Sequence, residues 1–300
     1  MGAKSRQMQN RIESIRSTTK ITRAMELVAA SRIAKAQGRL SQARPYSRRI
    51  QEAIRELAGV GEVAHEFPLL KPRDEIKTSG VVVITSDRGL AGSYNSSVIR
   101  EGVGLIREAR EAGRDVRLHV IGKKGLAFFR FGNYPIASST LGISDTPRFE
   151  AAEALGATLV EEFISGQLDE VRIAFTDFRS SGSQSATSVQ ILPIRKEDVT
   201  LEAGAITPLY DFEPEPSEIL SLLLPRYVNT VIFACLLESA TSEHAARRRA
   251  MKAATENGEE LVKVYTRIAN RERQAEITSE IMEVVGGAEA LRSEEKATVG

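Results

Sequence analysis

Residues Pro225 to Leu291 read PRYVNTVIFACLLESATSEHAARRRAMKAATENGEELVKVYTRIANRERQAEITSEIMEVVGGAEAL. After its first position this stretch holds no proline, and glycine enters only at Gly258, Gly286 and Gly287. Apolar residues recur at mixed three- and four-residue steps. One seam is Val228, Val231 and Cys235. A second is Ala254, Gly258, Leu261, Tyr265, Ile268, Glu272 and Ala275, with one charged interruption. A third is Ile277, Ile281, Val284, Ala288 and Leu291. The spacing is that of a coiled coil, with a stutter between the last two seams. At the helical rise the stretch makes a rod of roughly 100 Å, longer than a globular core covers. Such a rod needs a second helix along it.

The chain supplies one at its other end. Met8, Ile12, Ile15, Thr19 and Thr22 step by four and three, and Met25, Val28, Ala29, Ile33 and Leu40 continue the stripe. Small residues such as Ala29, Ala30 and Ala34 let a partner helix approach closely. Pro45 is expected to kink or interrupt this helix, because it removes a hydrogen bond and clashes with the preceding turn. The segment stops near Gly59 and Gly61, and residues 58–76 form a connector.

The middle of the chain changes character. Gly80–Thr85 is a short β-branched apolar run and reads as a buried strand. Further strands are expected at Asp115–Gly122, Glu170–Phe178 and Val189–Ile194, with helices at Ser93–Ala112, Lys123–Phe131 and Glu150–Ser165. Ser180–Ser183 reads as a hairpin tip. Strands alternating with helices predict a largely parallel sheet. Pro214 and Pro216 lie in an acidic connector, Glu218–Leu223 makes one or two turns, and the long helix starts at Pro225. The expected fold is α/β. It is an antiparallel coiled coil of long N- and C-terminal helices, residues 1–57 and 217–291, with an inserted Rossmann-like α/β domain at 77–211.

Composition limits the function. The net charge is only +1, yet residues 1–57 carry 13 Lys and Arg against 4 Asp and Glu, which suits an acidic partner. The single cysteine, Cys235, excludes an internal disulfide and sits on an apolar seam. The N-terminus shows no apolar leader, and Arg6 stands where a myristoylation pattern needs Ser or Thr. The longest uninterrupted apolar run, Val231–Leu237, is too short to span a bilayer. The expectation is a soluble or peripheral protein in a reducing compartment.

No catalytic constellation is legible. Ser86–Gly92 follows the first strand, where an α/β fold cradles phosphate, but it lacks G-x-G-x-x-G and Gly-Lys-Ser/Thr. Gly89 and Gly92 serve a tight turn there. His65, His119 and His244 carry no metal-ligand spacing. The sequence therefore reads as a tether, transmitter or scaffold with no cofactor. Two other classes stay open: a basic coiled-coil nucleic-acid-binding or scaffold protein, and an α/β enzyme oligomerised by its helices. The first predicts DNA affinity that falls steeply with salt. The second predicts a ligand at the Asp87–Gly92 loop.

Several blocks carry a family resemblance. They are Ile12–Thr22 (IESIRSTTKIT), Arg23–Ser31 (RAMELVAAS), Ala43–Tyr46, Asp87–Gly92 (DRGLAG), Ser242–Arg247, Met251–Gly258 and Arg273–Ala288 (RQAEITSEIMEVVGGA). Taken in order along the whole chain, they resemble the gamma subunits of F-type ATP synthases. The resemblance implies a rotor shaft whose two helices lie inside a ring of three alpha and three beta subunits. The α/β domain would sit on the membrane c-ring beside the epsilon subunit, one copy per complex, without nucleic acid. It implies a non-catalytic subunit, peripheral on the cytoplasmic side of the cell membrane, that couples proton flow to ATP synthesis or hydrolysis.

Residue by residue, the resemblance places Arg23, Ala24 and Met25 against the acidic lever of beta. It places Arg273, Gln274, Thr278 and Glu283 in polar contact with the ring. Ile281, Val284 and Val285 become the apolar axle tip. Asp87, Arg88, Tyr210 and Glu213 fall in the foot facing the rotor ring and epsilon. The ordinary reading of each is plain helix or loop structure. Ala91 stands where many relatives have Cys, and no Cys-bearing insertion interrupts the middle domain. The light-dependent redox switch of the chloroplast form is therefore expected to be absent, and a bacterial source is expected.

Overall fold

The computed structural model describes residues 3–58, 67–195 and 213–298. Two compact units emerge, Val28–Arg249 and the pair Met1–Leu27 with Ala250–Gly300.

The larger unit is built on a five-stranded sheet in the order β3-β2-β1-β4-β5. Its strands are β1 (Thr78–Ile84), β2 (Asp115–Ile121), β3 (Ile136–Thr140), β4 (Glu170–Phe178) and β5 (Gln184–Leu192). All neighbours are parallel except β4 and β5, which form an antiparallel hairpin around Ser180–Ser183. The central strand explains the layering. Val81 and Val83 pack with α2 (Tyr94–Glu111) and α3 (Lys123–Phe131) on one face. Val82 and Ile84 pack on the other face with α4 (Phe149–Ile164) and the unit's segments of two long helices. A strand covered on both faces reads as a continuous apolar run. Gly102 lets α2 sit close on β1, since a Cβ there would lie 2.6 Å from Val83 Cγ2.

The long helices are α1 (Ala3–Ala58) and α5 (Pro216–Thr298). Both depart from the sequence reading. Pro45 lies inside α1 and does not interrupt it. Pro225 lies inside α5, which starts a full nine residues earlier at Pro216. An internal proline costs about 3 kcal/mol, and each fully buried aliphatic side chain returns roughly 1.5–3 kcal/mol. Leu40, Ile50 and Ile54 flank Pro45, and Leu220, Leu224, Tyr227 and Val228 flank Pro225; all are buried in the core. Burial on both sides of each proline outweighs the lost hydrogen bond.

The stretch of α5 in this unit is apolar enough for an 18-residue window of mean hydropathy 1.7, which by length and composition could cross a membrane. Half of that window is buried in the fold. Its inward stripe, including Ile232, Cys235 and Leu236, closes the sheet's second face. Burial pushes the Cys235 thiol far up, so it packs as a small apolar residue.

Two further elements escaped the sequence reading. They are the edge strand β3 and a 3-10 turn at Pro68–Leu70 that buries Leu69 and Leu70. Strand β5 also starts at Gln184, five residues before the expected Val189.

In the smaller unit α1 and α5 run antiparallel. Thr22 Oγ1 lies 2.8 Å from Thr255 Oγ1, and Arg11 sits over the Tyr265 ring at 5.2 Å. Gly258 meets Thr19 so closely that a Cβ would lie 2.3 Å from its Oγ1. On α1 the inward residues are Met8, Ile12, Ile15, Thr19 and Thr22, the stripe read from sequence. On α5 the seam is rotated from the expected one. Met251, Thr255, Gly258, Val262, Tyr265 and Ala269 are covered, while Leu261 and Ile268 are exposed.

The threonine pair offers a test. Replacing Thr255 by Val is expected to cost about 1 kcal/mol in urea unfolding of the chain. The double change of Thr22 and Thr255 to Val should cost no more than the single one, because no hydroxyl is then left without its cross-helix partner.

Candidate functional site

The smaller unit presents an unpartnered surface. One antiparallel register connects Arg11–Tyr265, Thr19–Gly258 and Thr22–Thr255. It sets Ala3 opposite about residue 274, so Ile277–Ala288 extend past the first described residue of α1. Ile277, Ile281, Val284 and Ala288 step by four, three and four and form one apolar stripe. Ile281 is 56% exposed and Val284 72%, with Met282 and Val285 beside them. Arg273, Gln274, Thr278 and Glu283 are exposed on the same stretch. A row of large aliphatics in water on one helix is a candidate interaction surface.

On α1, Arg23 and Ala24 are exposed and Met25 is half-buried. Arg23 reaches Glu259 at 3.4 Å, with both side chains more than half exposed, so the pair contributes little. Ile21 and Leu27 are also exposed, at 58% and 66%.

The loop after β1 lies in the larger unit, and its chemistry is closed. The Asp87 carboxylate accepts from Lys123 N at 3.1 Å, Gly142 N at 2.9 Å and Ser144 Oγ at 2.9 Å. Lys123 is the first residue of α3, so the chain's own carboxylate takes the place at a helix N-terminus where this fold class can seat a phosphate. Arg88 points outward and is exposed. Next to this loop, Arg247 donates to Gly89 O at 3.1 Å and pairs with Glu243 at 2.5 Å. Asp145 pairs with Arg32, and its carbonyl lies 3.2 Å from His244 Nε2. Thus α1, α5 and two loops of the sheet's C-terminal edge are joined by one polar cluster. The sequence reading missed it. The Ser242–Arg247 block was visible, but its partners at Gly89, Asp145 and Arg32 are remote in sequence.

The structure does not bring Asp87 and Arg88 together with Glu213. Glu213 is exposed just before α5 begins at Pro216, whereas the Asp87 loop meets α5 at Arg247. The two levels are about 46 Å apart along the helix. Tyr210 lies outside the described residues.

Burial, opposed by Arg247 and reinforced by Asp145 and Asp87, raises the Glu243 carboxyl from 4.5 to about 7. A raised carboxyl contributes its stability fully below the unfolded value and loses it as pH climbs through about 7. Glu243→Gln is therefore expected to be more stable than the parent at pH 8, on the order of 2–3 kcal/mol, and close to it near pH 4. Thermal unfolding of both chains across this range checks it. Taking the difference between them cancels the contribution of His244.

A family model described as ATP synthase matches residues 4–291. The ATP synthase gamma chain of Acidothermus cellulolyticus is 47% identical over 296 residues, covering 97% of this chain and 98% of its own. That of Mycolicibacterium smegmatis is 45% identical over 306 residues, covering 97% and 99%.

This chain belongs to the ATP synthase gamma-chain family.

Solved structures agree in fold. A chain of the Tetrahymena thermophila mitochondrial ATP synthase central stalk and c-ring matches with TM-score 0.58 and 25% identity, over 78% of this chain and 99% of that one. A chain of the Euglena gracilis mitochondrial ATP synthase matches with TM-score 0.64 over 99% of this chain and 97% of that one; at 16% identity the likeness is one of fold. The motif blocks quoted from the sequence therefore identified the right family.

Proposed function

We propose that this gamma-family chain is the central rotor shaft of an F-type ATP synthase and carries no active site of its own. The observation that carries the reading is the exposed apolar stripe Ile277–Ile281–Val284 on α5, past the first described residue of α1. A ring of three alpha and three beta subunits covers it. An asymmetric shaft touches three equivalent sites differently, and a partner shifts a site's equilibrium only by the difference in its contact energies. Turning the shaft by a third of a revolution permutes those contacts and drives each site through its binding states. Hydrolysis at the sites drives the shaft in reverse.

In this reading Arg23, Ala24 and Met25 face the beta lever, and Arg273, Gln274, Thr278 and Glu283 make polar contacts with the ring. Ile281, Val284 and Val285 form the axle tip. Glu213, with Tyr210, faces the c-ring and epsilon. Asp87 and Arg88 are left out of that foot contact. The Asp87 carboxylate is spent on three backbone and side-chain donors, and its loop sits at the other end of the larger unit. The filled loop also supports a non-catalytic role. The complex couples proton flow to ATP turnover, with this chain peripheral on the cytoplasmic side of the cell membrane.

The test is purification of the tagged chain from detergent-solubilised host membranes, followed by native mass spectrometry. One copy with three each of two larger ATPase chains, epsilon and the c-ring is the expected composition. Recovery alone, as a homo-oligomer or with DNA would overturn it.

A further inference from the structure

On the far side of the larger unit from the polar cluster, α4 and α5 enclose an open groove of about 590 Å³. Ala157, Val160, Ile164 and Pro225 give it an apolar lining, and Glu153 and Glu161 stand exposed along it. Among the described residues no basic side chain lines it. The two carboxylates are eight residues apart on α4, about 12 Å, and sit on the same side of that helix. Ile164 is 53% exposed, and Leu222 nearby on α5 is 70% exposed.

Asn229 adds an independent sign. It lines the groove, is only 7% exposed, and its Oδ1 has no hydrogen-bond partner among the described residues. On one side Oδ1 is closed by Gly156, where a Cβ would lie 1.9 Å away. A buried acceptor without a donor costs about 1–3 kcal/mol. The terminal amide torsion is soft, and turning it brings Oδ1 to the groove, where an incoming donor can reach it.

We infer that this groove docks a basic amphipathic segment of another subunit of the same assembly. The aliphatic residues of that segment lie on Val160, Ile164 and Pro225, and its Lys or Arg side chains meet Glu153, Glu161 and the Asn229 amide. Charge selects the occupant. Every polar group that faces the groove, apart from the Ser165 hydroxyl and the amide N–H of Asn229, is an acceptor only. An acidic or neutral apolar segment would leave those acceptors unmet. The inference rests on membership of an assembly, as proposed above.

The test places p-benzoylphenylalanine at Ala157, an exposed groove residue on α4, in the tagged chain expressed in its own host. The membrane complex is purified, irradiated and digested, and the crosslinked peptide is identified by mass spectrometry. The same label at Ala112, beyond the end of α2 on the other face of the sheet, is the control. The expected product joins Ala157 to a segment of another subunit with Lys or Arg beside aliphatic residues. Its yield should fall roughly tenfold when Glu153 and Glu161 are both changed to Lys. No crosslink above the control, a product insensitive to the charge reversal, or a product with lipid or a second copy of this chain would overturn the inference. Co-purification of the two larger ATPase chains is scored in the same preparation. Its loss would count against the shaft reading, whereas its presence without the crosslink would count against the groove alone.

Discussion

Replacing Gly122 with alanine is expected to destabilise the larger unit by at least about 3 kcal/mol. Gly122 joins β2 to α3 with φ at +92°, a conformation that L side chains avoid. A Cβ there would also lie 2.3 Å from the backbone oxygen of Thr85, and backbone cannot swing away as a side-chain tip can. Thr85 is fully buried and donates twice to the segment around Gly122, through its N–H to Ile121 O at 2.8 Å and through Oγ1 to the same oxygen at 2.7 Å. Relieving the clash therefore separates β1 from β2. Gly113 provides the comparison. Its φ is +74°, but nothing lies within 4 Å of a Cβ built there. Gly113→Ala should cost only about 1–2 kcal/mol of backbone strain. Urea unfolding of both variants separates conformation from contact. Equal effects at the two positions would refute the argument.

Changing Ile281 and Val284 together to Asp is expected to weaken association with the alpha and beta chains by at least roughly 30-fold. Both side chains are exposed in the isolated chain, at 56% and 72%, so the variant keeps its fold and its helical circular dichroism. The cost arises only when a partner covers them, because each carboxylate is then taken out of water without a counter-charge. The variant Ile281→Gln with Val284→Thr adds polarity without charge and should fall between the parent and the Asp pair. Reconstitution with the two larger chains, read as the fraction of complex formed, measures the effect. Unchanged assembly in the Asp pair would show that the stripe is not covered, and would remove the observation on which the shaft reading rests.

How legible these features were follows from their range along the chain. The β1 run, α2, α3 and α4 were found to within a residue or two, because a buried strand and an amphipathic helix each write their period locally. β3 was missed because Ile-Ala-Ser-Ser-Thr has little apolar content. It becomes a strand by pairing with β2 at the sheet edge, where its Ser138 also meets His119 Nδ1 at 2.8 Å. Pro45 was read as a kink or interruption because the sequence shows the lost hydrogen bond but not the burial on either side, and Pro225 as a helix start because proline suits the first turn. The Asp87 loop was placed near Glu213 by resemblance. Its true neighbours, Arg247, Ser144 and Lys123, are set by how the sheet's C-terminal edge packs on α5.

By itself the sequence determined the family, the two long helices and the inserted α/β domain, and it shows the apolar seam from Ile277 onward. Each of these is written in local periodicity or in contiguous motif blocks. Only the tertiary structure decided which face of α5 turns toward α1. Ala254, Leu261 and Ile268 repeat with the same seven-residue spacing as Thr255, Val262 and Ala269, so periodicity alone leaves both faces eligible. Thr19 and Thr22 resolve the choice. They sit opposite Gly258 and Thr255, and this contact admits a hydroxyl pair and a glycine while the larger Leu261 and Ile268 turn to the outside. Close approach favours the smaller residues, and the aliphatics left outside are available to a partner.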